Sequence, residues 1–124
     1  MMTVMGWQMH VQPRADAFNG PNAWSLANYP MQANGSEMMR VALIQATERG
    51  VQVCAPVHNT LLIKSSIDVI GNAVAQCQRA MGDASELILK GFRLNCDAEV
   101  VRYPERYFDK RGEAMWSKIH KFMN

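Results

Sequence analysis

Residues 51–65 constrain the fold of this chain more than any other stretch. They read VQVCAPVHNTLLIKS, with β-branched and apolar side chains on both sides of the polar pair His58–Asn59. Such residues favour extended backbone, and a short polar pair between two such runs is typical of a tight turn. The pattern predicts a β-hairpin with strands over 51–57 and 60–65. Asn59 suits the turn because asparagine tolerates positive φ.

Helical patterns lie on both sides of the predicted hairpin. Upstream, apolar side chains recur at helical spacing over residues 32–49, and Gly50 follows where a C-cap glycine is expected. Downstream, residues 68–90 carry an apolar stripe typical of an amphipathic helix, and Gly91 follows its end.

The remaining segments complete a mixed architecture. Residues 3–11 and 92–103 alternate loosely between apolar and polar side chains, which predicts two further strands. Residues 14–28 are rich in Asn, Gly and Pro and predict a loop, and residues 113–122 predict a short final helix. The order predicts an α+β fold, a small antiparallel sheet with helices packed on one face, as a single domain over residues 1–124.

Composition narrows the classes of protein to which this chain can belong. Its 124 residues are 48% hydrophobic and 19% charged, which is the globular range. The formal charge of +2 is too small to indicate nucleic-acid binding by electrostatics alone. The three cysteines are odd in number and lack a CxxC spacing, so they predict neither a disulfide framework nor a zinc site.

The chain shows no segment that would direct it to a membrane or out of the cell. No run approaches the length of about 18 apolar residues that a span requires. The first residues lack a basic flank ahead of an apolar core, so no secretory signal is predicted. We therefore expect a cytoplasmic protein without a membrane partner.

Two short motifs resemble the DNA polymerase I family, the family A DNA polymerases. The segment Asn28-Tyr29-Pro30-Met31-Gln32 resembles the N-x-P-x-Q motif at the start of a palm helix. Val57-His58-Asn59, between two apolar runs, resembles the Val-His-Asp turn of that family's motif C. The resemblance covers most of the chain and implies the carboxyl-terminal half of a polymerase palm domain.

The resemblance also implies magnesium chemistry, and this sequence departs from it at the metal position. Phosphoryl transfer by two magnesium ions requires anionic oxygen ligands, and the family uses two aspartates. Asn59 stands at the position of one of them, which makes it a vestigial metal position. Thr60 and Lys64 stand where acidic residues are frequent in the family. We expect no intact catalytic residue, no bound metal and no cofactor.

Other parts of the polymerase are not found in this sequence. There is no counterpart of the motif that carries the first catalytic aspartate, and no R-x-x-x-K-x-x-x-F/Y-G pattern of the fingers helix. Trp24 occupies a place where relatives have a DNA-contacting arginine. The chain resembles a truncated palm that is catalytically inactive on its own.

The resemblance assigns DNA contacts to three side chains. Asn28 and Gln32 would reach the minor groove near the primer end, and His58 would contact the primer terminus. The alternative interpretation is a polar helix start and a turn histidine hydrogen-bonded to backbone. No spacing relates His58 to Glu37, so an acid–base pair is not predicted.

The carboxyl-terminal region is the most basic part of the chain. Arg102 and Arg106 lie there among further cations and the aromatic residues Tyr103, Tyr107 and Trp116. Such a mixture stacks on bases and pairs with phosphates, so both arginines are candidate DNA contacts. The alternative is a solvated surface with weak local ion pairs.

Three functions remain open at this level. The first is residual primer–template DNA binding by an inactive palm. The second is a structural or interaction protein that homodimerises through its exposed sheet, because uncovered apolar faces and sheet edges promote association. The third is a subunit of a split polymerase whose partner chain supplies the missing palm and fingers.

Overall fold

The computed structural model describes residues 2–11 and 23–123. Its helices and strands follow the order α1 (Ala23–Glu48), β1 (Gln52–Val57), β2 (Thr60–Lys64), α2 (Ile70–Ile88) and α3 (Glu113–Met123). Short 3₁₀ turns, Ile67–Val69 and Lys110–Gly112, precede α2 and α3. The α+β class is confirmed, with a sheet of two antiparallel strands.

The hairpin forms where the sequence predicts it, with one local difference. Val57 pairs with Thr60 and Gln52 with Lys64, and the ladder is irregular between Val53 and Ala55. The positive φ of the turn belongs to His58, at 51°, rather than to Asn59. Histidine is also among the residues that enter this region more often than most.

The core lies between the hairpin and the two long helices. Each element contributes small or medium apolar side chains, and those of the buried cluster are Ala46, Val51, Leu61, Cys77 and Ala80. Met39, Leu43, Val53, Ile63 and Met81 pack against this cluster. Gly50, with a φ of 79°, ends α1 as predicted, and the backbone N–H of Val51 donates to Ala46 O at 3.0 Å. Helices α1 and α2 thus cover one face of the sheet.

Helix α1 is longer than predicted. It begins at Ala23 rather than near residue 32 and contains Pro30, so the predicted loop is wrong over residues 23–28. The rest of that predicted loop, residues 14–22, lies outside the described residues. A proline lacks the N–H of an intrahelical bond. The side-chain amide of Asn34 donates to Pro30 O at 2.8 Å.

The two outer strand predictions are wrong. Residues 2–11 form a tight turn with a single bridge between Met2 and Gln8, closed by Thr3 N–H donating to Trp7 O at 2.9 Å. Residues 92–103 contain no strand. A strand requires a neighbour for its backbone groups, and no third strand lies beside β1 or β2 in the described part of the chain. The final helix is confirmed as α3.

Candidate nucleic-acid interface

The face of α1 that packs on the hairpin continues past the end of the core. Met39, Leu43 and Ala46 lie on this face, and Asn28 and Gln32 share it because 3.6 residues complete one helical turn. Both Asn28 and Gln32 are exposed. Their spacing of four residues places the two amides next to each other along the helix.

The length of β1 matches that of the stretch of α1 between Ala46 and these amides. Strand β1 starts beside Ala46 and its six residues advance by about 20 Å, the rise of about 13 helical residues. Starting from Ala46, this distance ends near Gln32. The turn residues His58 and Asn59 are both exposed. These lengths are consistent with an imidazole and three amides, all exposed, near one end of the molecule.

The predicted arginine contacts lie elsewhere in the chain. Arg102 and Arg106 are exposed and belong to residues 89–109, which follow α2 and contain no helix or strand. The backbone N–H of Glu105 donates to Arg102 O at 2.8 Å, which forms a turn. In the described part of the chain, no hydrogen bond or ion pair connects these guanidinium groups with α1 or the hairpin.

The donor set at the hairpin turn does not fit a pair of magnesium ions. Asn59 offers a neutral amide oxygen and Thr60 a hydroxyl, whereas Mg²⁺ is bound in proteins through carboxylates. Lys64, exposed at the end of β2, adds a positive charge on the same hairpin. Over residues 2–11 and 23–123, no group of three His, Cys, Asp or Glu side chains is arranged to hold a metal ion.

The opposite face of α1 carries a buried carboxylate that sequence reasoning missed. Glu37 is 4% exposed and accepts hydrogen bonds from the Thr3 hydroxyl and, at 3.1 Å, from the Met5 N–H. The same Thr3 oxygen accepts from the Trp7 N–H at 2.8 Å. Glu37 therefore holds the amino-terminal turn and does not face His58. Its partners are more than 30 residues away in sequence, so no local pattern indicates them.

Further polar contacts hold the amino-terminal turn on this face. The Val4 N–H donates to Asn34 Oδ1 at 3.2 Å, and the Tyr29 hydroxyl donates to Trp7 O at 3.4 Å. The Arg40 guanidinium lies 4.8 Å from the centre of the Trp7 ring, within the range of a cation–π interaction. Residues 2–11 thus cover one face of α1 and leave Asn28 and Gln32 uncovered.

A second charged cluster joins the carboxyl-terminal half of α2 to its neighbours. Asp83 pairs with Arg49 and, at 2.6 Å, with Arg93, which also contacts Glu86 at 3.0 Å. The hydrogen bond from Arg93, and next that from Arg49, lowers the pKa of Asp83 below its ordinary value. Through these ion pairs, Arg49 attaches the end of α1 to helix α2, and Arg93 attaches the segment after α2 to the same helix. Both arginines therefore have a structural role as ion-pair partners of Asp83.

Comparison with known proteins identifies no relative. No family model, curated protein or solved structure matches this chain. In the described residues, no helix combines the length and apolarity of a membrane span.

Proposed function

We propose that this chain binds primer–template DNA without polymerising it, as an inactive protein resembling the carboxyl-terminal half of a family A polymerase palm. Asn28, Gln32 and His58 would contact the duplex, and Arg102 and Arg106 would contact phosphates. Asn59 would be the vestigial metal position. The observation that carries the proposal is the exposure of Asn28 and Gln32 on one helical face, together with the exposure of the His58–Asn59 turn.

The chemistry of these groups suits a duplex groove. Amide side chains donate to the N3 and O2 acceptors that every base pair presents in the minor groove, which gives contact with little sequence preference. Guanidinium groups on an irregular segment suit phosphates, because backbone contacts demand charge more than exact geometry. Such a module would recognise the shape of a duplex end and carry weak sequence information.

Fluorescence anisotropy with a labelled primer–template duplex tests the proposal. We expect affinity that falls with added salt, since bound cations release counterions from the phosphates. Arg106→Ala should weaken binding and lower the slope of log affinity against log salt by about 1. Gln32→Ala should weaken binding several-fold, because it removes a groove contact and no charge.

Matched variants keep the test specific. Gln52→Ala removes an exposed amide at the other end of β1, and Arg79→Ala removes an exposed guanidinium of α2. Both should bind DNA like the unaltered chain. Undetectable binding at low salt, or equal losses in the control variants, would contradict the proposal.

Primer extension provides a separate readout for inactivity. We expect no extension with magnesium and all four deoxynucleotides, either for the unaltered chain or for Asn59→Asp. A single restored carboxylate still leaves one ligand of a two-metal site missing. Extension by the unaltered chain would overturn the assignment of Asn59 as vestigial.

A further inference from the structure

The molecule exposes more surface than a compact monomer of its size. Its accessible surface is 10361 Å². A compact monomer of 14.0 kDa exposes about 6,700 Å². If the residues outside the described ranges are counted as fully exposed, as in an unfolded chain, the accessible surface still exceeds that of a compact monomer by about 2,000 Å². A standard protein–protein interface buries about 800 Å² on each partner, which is less than this excess. Residues 92–123 are almost all exposed and contribute to the excess, so the site of an interface must come from the sheet itself.

The outer edge of β1 is unsuited to strand pairing. Pro56 lies in this strand and has no backbone N–H to donate. The ladder irregularity between Val53 and Ala55 interrupts the regular spacing of its backbone groups. Helix α1 also packs more closely along β1 than along β2. Proline and irregular pairing are features that protect sheet edges from a further strand.

The outer edge of β2 has none of these protections. All five of its residues, TLLIK, pair with β1, and the extra residue of the irregular ladder belongs to β1. No strand of the described chain pairs with the other edge, so alternate backbone N–H and C=O groups there face outward. Leu62 is 57% exposed on the outer face of this strand. An unpaired regular edge with an exposed leucine at its centre is a template for another strand.

The sequence of β2 is complementary to itself in antiparallel orientation. When the two copies of the strand are related by a two-fold axis at Leu62, all five residues find partners. Thr60 then lies opposite Lys64 of the second copy, so the two lysines are kept apart. Leu61 lies opposite Ile63, and both extend the apolar inner face. Leu62 lies opposite its own symmetry mate, as an isologous interface requires.

We propose that two copies of this chain associate through the outer edges of β2, which forms a continuous four-stranded antiparallel sheet centred on Leu62. Backbone hydrogen bonds between the two edges and the apolar cross-strand pairs stabilise the dimer. The hairpin turns remain free at opposite ends of the joined sheet. This inference does not depend on DNA binding.

Sedimentation equilibrium of Leu62 variants tests this interface. The unaltered chain should sediment at twice its monomer mass of 14.0 kDa at micromolar concentration. Leu62→Lys and Leu62→Glu should each sediment as monomers, because like charges then lie directly opposite each other. An equimolar mixture of the two variants should regain the dimer mass, since Lys then faces Glu.

Leu87→Lys is the matched control, because Leu87 of α2 is 58% exposed and lies outside the sheet. It should remain dimeric. A monomeric unaltered chain, a dimeric Leu62→Lys, a monomeric Leu87→Lys or a mixture without dimers would each overturn the proposal. If the circular dichroism spectrum shows that a Leu62 variant is unfolded, hydrogen exchange of the unaltered chain tests the interface instead. The outward-facing amides of β2 must then exchange more slowly as protein concentration rises, and concentration-independent exchange of these amides would refute the interface.

Discussion

Single polar side chains hold together parts of this chain that its apolar core does not reach. Ser85 is fully buried in α2, donates to Gly82 O at 2.7 Å and accepts from the Leu94 N–H at 2.8 Å. The Gln78 amide donates to Cys96 O at 2.7 Å. These bonds attach the segment after α2 to that helix without a strand ladder. Asp83 adds a charged attachment through Arg93.

The charge on Asp83 should make stability depend on pH. Its pKa is lowered in the folded chain, chiefly by the Arg93 hydrogen bond and then by Arg49. Its stabilising contribution is therefore fully present above the unfolded pKa of about 4 and is lost as pH falls through the folded value. Urea titrations from neutral to acidic pH should show less acid dependence in Asp83→Asn than in the unaltered chain.

The exposed Asp68 provides the comparison for this measurement. Asp68→Asn should retain the acid dependence of the unaltered chain. Added salt should reduce the Asp83 effect, because the ion pairs are partly exposed and therefore screened. Identical pH profiles for Asp83→Asn and the unaltered chain would contradict this assignment.

At the level of elements, α1 contacts different partners on its two faces. One face packs on the hairpin through Met39, Leu43 and Ala46. The other receives the amino-terminal turn, where Thr3 is 5% exposed and Glu37 is 4% exposed. A buried carboxylate is tolerated only when donors satisfy it, so the turn and the helix depend on each other. This dependence makes the turn a structural part of α1.

Thr3→Val should detach the amino-terminal turn from α1. It removes the hydroxyl that donates to Glu37 and accepts from Trp7, at a cost of about 1–3 kcal/mol in unfolding free energy. Urea unfolding gives the cost, and Trp7 should also become more accessible to a fluorescence quencher. Thr47→Val, at an exposed position of α1, should leave unfolding free energy and quenching nearly unchanged. Equal effects of the two variants would disprove the coupling.

For the whole molecule, stability is concentrated in α1, the hairpin and α2. The buried cluster draws its members from these elements and from Val51 between them. Helix α3 has no buried residue, and Trp116, Phe122 and Met123 are among its exposed side chains. Its main contacts are with the 3₁₀ turn that precedes it. The carboxyl-terminal helix therefore adds exposed apolar surface and little to the core.

Removal of residues 110–124 should leave the core intact. We expect the midpoint of thermal unfolding, followed by circular dichroism, to change by less than about 4 °C, the shift that 1 kcal/mol produces in a domain of this size. The ellipticity should fall only by the contribution of α3. A much larger drop in the midpoint would show that α3 packs on the core in solution.

Local chemistry was sufficient to predict the central elements of this protein. The hairpin, α2 and α3 follow from β-branched runs, apolar periodicity and the glycines at positions 50 and 91, since these act through neighbouring residues. Local sequence also predicted the polar turn at His58–Asn59. It likewise gave the four-residue spacing of the Asn28 and Gln32 amides. The absence of a carboxylate at the turn is also evident from the sequence, because Asn59 has an uncharged side chain.

Only the tertiary structure decided how the outer segments behave. Residues 3–11 and 92–103 have strand-like alternation, but a strand forms only where another strand accepts its backbone hydrogen bonds. Here Glu37 and Ser85 bind these segments instead, and neither contact has a signature in local sequence. The start of α1 at Ala23 likewise overrides the helix-breaking tendency of Pro30. Partners distant in sequence supply these interactions, so their geometry appears only once the chain has folded.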